Sequence, residues 1–295
     1  MELVEKALVT IDWGTTNRRI FLLDADGAVA RREADTLGVT AVPAGGFPAE
    51  MARLRDRFGN VPFLLAGMIG SNRGWVEAPY LPCPVRVEDL RDSLLWVEPG
   101  RTAIVPGACM TGGRADVMRG EEVQLLGAVA AGLVAPNALL CLPGTHAKWA
   151  HVTDGALAGF RTVMTGEMFA LLRAHSLLAP QLSGEVVDGA PFREGVAQGL
   201  EEGALLSDLF GTRARILLGR LRIEDAASYV SGLLLGADLR IGLDGAPEGL
   251  IGLIGDPALT RLYGAALDEA GRSHQEVDGE RAFLAGMAIV AKDIA

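Results

Sequence analysis

The chain has 295 residues, 49% of them hydrophobic, 38 glycines, and a formal net charge of −10. That length has room for two domains with cores of their own, and the glycine content suits an α/β protein with many strand-to-helix turns. The acidic balance, with no basic stripe to offset it, argues against general nucleic-acid binding, and no apolar run approaches the roughly 18 residues of a membrane span.

Three cysteines, Cys83, Cys109 and Cys141, are widely spaced and form no C-x-x-C pair. They read as reduced residues of a cytoplasmic protein. The opening residues 1–6 do not read as a signal peptide.

An apolar run at 7–11 leads into Asp12-Trp13-Gly14-Thr15-Thr16-Asn17. A second run at 20–23 follows, and Asp26-Gly27 offers a tight turn into a third strand. Gly14 allows close backbone approach, and Thr15 and Thr16 bring donors to an anion. A carboxylate, Asp12, beside such a cradle calls for a cation between them, which Mg-nucleotide chemistry supplies. Residues 47–58 have helical spacing, and 61–66 read as a short buried strand. It runs into the loop 67–75, with Ser71, Asn72, Arg73 and Trp75. In open α/β sheets such strand ends are where ligands sit. Residues 79–84 read as an extended surface segment, and 104–107 as another strand end.

A helix is expected from Gly120 to about Leu133, with Glu121 and Glu122 in its first turn. Two readings stand for these acids. They complement the helix dipole, which spacing alone favours, or one of them is a general base. Gly127, Ala128, Ala131 and Gly132 would let this helix cross another closely, and Ala285, Gly286 and Ala288 in a final helix, 281–294, form a matching set.

The run 138–142 ends in Pro143-Gly144-Thr145-His146 and is followed by strand 149–152, an Asp154-Gly155 turn and a third strand. This echoes the plan of residues 7–30. Each copy opens one half of the chain, which suggests two domains, 1–135 and 136–278, facing a shared cleft, with 279–295 returning to the junction. Thr165 reads as the N-cap of a helix through Leu178. Helical patterns fill 192–210 and 225–239, while 216–221 could be helical or extended. A buried strand, 250–254, ends at Gly255-Asp256-Pro257 before a helix at 258–270. A glycine there would let a flat base or ribose lie against the backbone, or would simply make an ordinary turn. No G-x-x-x-x-G-K-[ST], G-x-S-x-G or H-E-x-x-H occurs, and the four histidines lack metal-ligand spacing.

Five stretches together resemble one family: Ile11-Asp12-Trp13-Gly14-Thr15-Thr16-Asn17, Gly70-Ser71-Asn72-Arg73-Gly74-Trp75, Met118-Arg119-Gly120-Glu121-Glu122, Pro143-Gly144-Thr145-His146-Ala147-Lys148-Trp149, and Phe160-Arg161-Thr162-Val163-Met164-Thr165-Gly166-Glu167. The first is shared across the actin-like ATPase and sugar kinase superfamily. The set is similar to the 2-dehydro-3-deoxygalactonokinase family within it. The resemblance implies two RNase H-like domains and ATP-dependent phosphorylation of 2-dehydro-3-deoxy-D-galactonate at its terminal hydroxyl.

It also implies roles. Asp12 would hold Mg through water, with Gly14, Thr15 and Thr16 facing the phosphates of ATP. Gly144, Thr145 and His146 would grip the phosphates, and Gly255 and Asp256 would border adenosine. Glu121 would be the base, with Glu122 next in order. Asn17, Ser71, Asn72, Trp75 and Glu167 would line the sugar-acid pocket. Arg161, Arg119 or Arg73 would meet the substrate carboxylate. A related sugar-acid kinase, or a polyphosphate or nucleotide phosphatase of the superfamily, is the competing reading. A DNA-binding regulator would need a segment before the first strand, where six residues stand. The oligomeric state is open, a homodimer included.

Overall fold

A computed structural model describes residues 7–292 and residue 294. Residues 1–6, read above as no leader, lie outside the described residues, as does residue 293 within the span expected for the final helix. The chain forms two compact units. One comprises the chain up to Pro136 with Thr153–Gly159 and the chain from Glu280 onward; the other comprises Asn137–Val152 and Phe160–Gly279.

In the first unit β1 (Leu8–Trp13), β2 (Arg18–Leu23) and β3 (Val29–Asp35) form an antiparallel meander. β1 is buried along almost its whole length, as a continuous apolar run predicts. Helix α1 (Phe47–Phe58) spans the predicted residues and buries Phe47, Met51, Leu54 and Phe58, one stripe at helical spacing. There follow β4 (Phe63–Ala66), β5 (Tyr80–Pro82), α2 (Val87–Asp92), β6 (Leu95–Glu98), β7 (Thr102–Ile104), β8 (Gly107–Met110), β9 (Asp116–Met118) and α3 (Glu121–Ala130). The main sheet has the order β3-β2-β1-β4-β7-β6, and β5-β8-β9 form a small second sheet. α2, β6, β8 and β9 were not expected. They are short elements with no alternation long enough to betray them. α3 stops at Ala130, short of the expected Leu133, because the chain turns at Gly132, whose φ is 64°.

The second unit opens with β10 (Ala138–Leu142), β11 (Ala147–Thr153) and β12 (Ala156–Val163). Then come α4 (Thr165–His175), α5 (Ala190–Leu200), α6 (Leu205–Leu217), α7 (Ala226–Gly242), β13 (Ile251–Gly255), α8 (Pro257–Glu269) and β14 (His274–Asp278). Its sheet runs β12-β11-β10-β13-β14, a meander followed by two parallel strands. The first sheet has the same order once its added edge strand β6 is set aside. The echo between 7–30 and 138–163 is therefore a repeated sheet.

Two expectations need correction here, and one strand went unread. The pattern read at 192–210 is broken: α5 ends at Leu200 and α6 begins at Leu205, separated by Glu201-Glu202-Gly203-Ala204 with Gly203 at φ 96°. Thr165 is the first residue of α4, not its cap; Met164 takes the cap position and Thr165 gives its hydroxyl to Asp238. β14, too polar to announce itself, supplies the sheet's edge. Residues 216–221 are the end of α6 and a turn.

α7 is buried on nearly all sides, as a helix apolar around its circumference must be. It packs on α5 through glycines: a Cβ on Gly232 would stand 2.0 Å from the Phe192 carbonyl, and one on Gly195 2.1 Å from that of Tyr229. In the first unit the same device joins α3 to α9 (Gly279–Val290). A Cβ on Gly127 would meet the Ala282 carbonyl at 2.1 Å, and one on Gly286 that of Val123 at 2.3 Å. Of the small residues noted in the sequence, Gly127 and Gly286 make this crossing, whereas Ala131 and Gly132 lie past the end of α3.

Candidate active site

In the first unit three backbone ends converge. Asp12 lies at the end of β1, one of its oxygens 3.4 Å from where a Cβ on Gly67 would stand; Gly67 directly follows β4. Gly67 in turn abuts Gly120, the cap residue of α3: a Cβ on Gly120 would lie 3.0 Å from the Gly67 Cα. Both glycines have positive φ, 94° and 100°, so a side chain at either would be strained as well as crowded. The turn Gly14–Asn17 is closed by Gly14 N–H donating to the Asn17 carbonyl at 2.9 Å, and Thr15, Thr16 and Asn17 are exposed on it.

The cation beside Asp12 in the protein itself is Arg19, its cross-strand partner, whose Nη2 reaches Oδ2 at 2.5 Å. Arg19 thus answers the acid beside the anion cradle without a metal. The donor set still fits Mg. Only Oδ2 of Asp12 takes part in that pair, Gly67 leaves room beside Oδ1, and Mg commonly takes one or two carboxylates with water and phosphate oxygens.

The two acids of α3 differ sharply. Glu122 is fully buried, and both its oxygens accept the Gly120 N–H, at 2.8 and 2.7 Å. Burial, reinforced by the neighbouring Glu121 carboxylate, raises its pKa to about 8. Glu121 is half-buried and accepts the Arg119 N–H at 3.0 Å. Each acid therefore supplies an acceptor to backbone at the helix start, the structural role that spacing favoured. Only Glu121 also presents surface.

The loop 67–75 is tied down internally. The Ser71 hydroxyl donates to the Met68 carbonyl at 2.7 Å and accepts the Arg73 N–H at 3.2 Å, so its bonds stay within the loop. Trp75 stacks on Phe47, which meets Trp13 edge-on, centroids 6.5 and 5.8 Å apart. Asn72 and Arg73 are exposed at the tip. Arg119 is buried, donates to the Ala78 carbonyl at 2.7 Å and lies over the Tyr80 ring at 4.2 Å.

In the second unit the turn Gly144-Thr145-His146 is backed by the start of α4. A Cβ on Gly166 would stand 2.5 Å from the Gly144 carbonyl, and the Glu167 N–H donates to the Thr145 carbonyl at 3.0 Å. The Glu167 carboxylate pairs with His146 Nε2 at 2.5 Å, which places this acid on the turn itself. Gly255 lies beside Pro143, and Asp256 caps α8 by accepting the Ala258 N–H at 2.8 Å. Arg161 donates to the Ile241 carbonyl at 3.0 Å, at the C-terminal end of α7.

Two residues here escaped the sequence reading. Lys148 on β11 is buried and donates to the His146 carbonyl at 3.1 Å. Asp238 on α7 is buried and accepts from Trp149 Nε1 at 2.7 Å, from the Thr165 hydroxyl at 2.6 Å and from the Tyr263 hydroxyl. Burial raises its pKa, against the pull of the three donors. Both carried a faint signal, a charge inside an apolar strand and an acid inside an apolar helix. Thr165 and Tyr263 also line an apolar cavity of about 190 Å³, floored by Gly144 and Gly166 and walled by Phe169, Leu234, Leu235, Leu259 and Leu262.

Comparison with known proteins bears directly on this arrangement. The family model described as 2-keto-3-deoxy-galactonokinase matches residues 12–290. This chain belongs to that family. The 2-dehydro-3-deoxygalactonokinase of Escherichia coli K12 is 37% identical over 291 residues, covering 97% of this chain and 98% of the relative. A crystal structure of a candidate 2-dehydro-3-deoxygalactonokinase from Sinorhizobium meliloti superposes with a TM-score of 0.90 at 32% identity, covering 97% and 99% of the two chains. Component A of (R)-2-hydroxyglutaryl-CoA dehydratase from Acidaminococcus fermentans shares the fold alone, with a TM-score of 0.53 at 14% identity over 98% and 99% of the chains. The α/β architecture with two sheet-containing domains is that of the galactonokinase family and of this wider group. Among the described residues, no helix is long and apolar enough to cross a membrane.

Proposed function

We propose that this galactonokinase-family chain transfers the γ-phosphoryl group of ATP to the terminal hydroxyl of 2-dehydro-3-deoxy-D-galactonate, giving the 6-phospho sugar acid in D-galactonate catabolism. The observation that carries this reading is the family match over nearly the whole chain. In the transfer, the hydroxyl oxygen bonds to the γ-phosphorus as the bond to the β,γ-bridging oxygen breaks. The hydroxyl proton passes to Glu121, and ADP leaves.

Each unit supplies parts suited to this. The exposed hydroxyls of Thr15 and Thr16 and the backbone of Gly14 suit phosphate oxygens, as do Thr145 and His146 in the second unit. His146 is held by Glu167, which orients its ring. The apolar cavity above Gly144 and Gly166 accepts the flat adenine base, with Gly255 and Asp256 at its approach. Mg would be held by Asp12 through water, and when bound it neutralises charge on the phosphates. Arg73 fits the substrate carboxylate best of the three arginines named from sequence. It is exposed at the loop tip, whereas Arg119 is buried against Ala78 and Tyr80 and Arg161 holds the end of α7.

A panel of 2-keto-3-deoxy acids and aldonates with ATP and Mg, followed by ADP release and product identification, tests the reading. A 6-phosphorylated 2-dehydro-3-deoxy-D-galactonate formed faster than any other product supports it. Preference for another sugar acid, or phosphate release with no phospho sugar, overturns it.

A further inference from the structure

Helix α6 carries two apolar faces, and among the described residues only one of them is covered by the chain itself. Leu209 and Thr212 are buried, and Leu205 and Ile216 pack on a core cluster with Tyr229 and Leu233 of α7. On the other side Leu206 is 85% exposed, Phe210 64%, Leu217 71% and the adjoining Leu218 68%. Large apolar side chains left in water on one helix face mark an interaction surface. The occupied positions 206, 210, 213 and 217 step by four, three and four, the spacing of a helix–helix seam.

We propose that this face of α6 is the interface of a homodimer, with the helix pairing antiparallel to its own copy about a two-fold axis near residues 211 and 212. The sequence of the helix is self-complementary in that arrangement. The axis sets Leu206 against Leu217 of the second copy, and Phe210 against Arg213 of the second copy. That places a guanidinium on an aromatic face. It also brings the exposed acids Glu201 and Glu202, just before the helix, toward the exposed Arg220, just after it, on the other copy. A parallel pairing would instead set Arg213 against Arg213 and the acids against the acids, which like charge disfavours.

Leu206, Phe210 and Leu217 with the charged residues that flank them make a small seam, below the roughly 1,200 Å² of a standard stable interface, which fits a dimer that comes apart on dilution.

Sedimentation velocity on the full chain at about 50 μM should give a dimer that dissociates on dilution. Phe210→Glu should give a monomer with an unchanged melting profile and unchanged turnover per chain at saturating substrate. Oxidation of the Leu206→Cys, Leu217→Cys double variant should cross-link two chains, whereas Leu206→Cys alone should not. A wild-type monomer at that concentration overturns the proposal, including one whose exposed face serves a different protein. So does a dimer that survives Phe210→Glu, or a Leu206→Cys variant that cross-links to itself.

Discussion

Burial separates Glu121 from Glu122, and burial decides which carboxylate can meet a hydroxyl arriving from solvent. Glu122 is enclosed with both oxygens on the Gly120 N–H, whereas Glu121 keeps part of its surface. Glu121→Gln should therefore lower turnover by about 10²-fold or more, the usual scale for losing a general base, with little change in ATP affinity; near-normal turnover would remove it from that role. Glu122 should show itself in stability instead. Burial lifts its pKa to about 8 from the ordinary glutamate value of 4.5, so the folded state holds a proton that the unfolded state releases above the lower value. Its contribution is fully present below about pH 4.5 and is lost as pH rises toward 8, an effect on the order of a few kcal/mol. Thermal midpoints measured from pH 5 to 9 should fall more steeply for the wild type than for Glu122→Gln. Parallel curves would show that the acid is not held protonated. The residues that sequence revealed and those it hid differ in how far away their partners lie. Asp12, Gly14 and Thr15 are near neighbours in the chain, so a short motif displays them together. Asp238 takes its donors from positions 89, 73 and 25 residues away, so nothing in its neighbourhood in the chain announces them.

At the scale of elements, glycine sets where helices cross. Replacing Gly286 with alanine drives a methyl to 2.3 Å from the Val123 carbonyl, so α3 and α9 must part along their length. Overpacking of this kind costs about 1–3 kcal/mol or more. Gly286→Ala should lower the melting temperature by several degrees. Gly112→Ala, where the added atom meets nothing within 4 Å and φ is not positive, should leave it nearly unchanged. Equal melting temperatures would mean that the crossing is looser than drawn. This crossing was legible because small residues at helical spacing leave a pattern in both partners. The break between α5 and α6 was not, because Leu200, Leu205 and Leu209 continue an apolar rhythm across a turn. The seam on the outer face of α6 was missed for a related reason: periodicity reports apolar positions and does not say which of them water still touches.

At the scale of the molecule, the sequence carried the repeat of two similar halves through its two Gly-Thr turns, and both sheets share the strand order that the repeat implies. Its boundaries were harder, because the division follows space and the sequence reading followed the chain. Thr153–Gly159, the tip of the β11–β12 hairpin, belongs with the first unit: Leu157 and Val85 exchange backbone hydrogen bonds there, and Arg86 donates to the Asp154 carbonyl at 2.8 Å. No local composition shift marks that allegiance. The same discontinuity governs how the molecule is born. A ribosome releases β1 to α3 early, yet the helix that fits the glycine groove of α3 is α9, made only after the whole of the second unit. At about 5–20 residues per second the nascent first unit waits roughly ten to thirty seconds with that groove open. During that interval its glycine groove stands open to water, and a message truncated within the second unit would leave it unfinished for good.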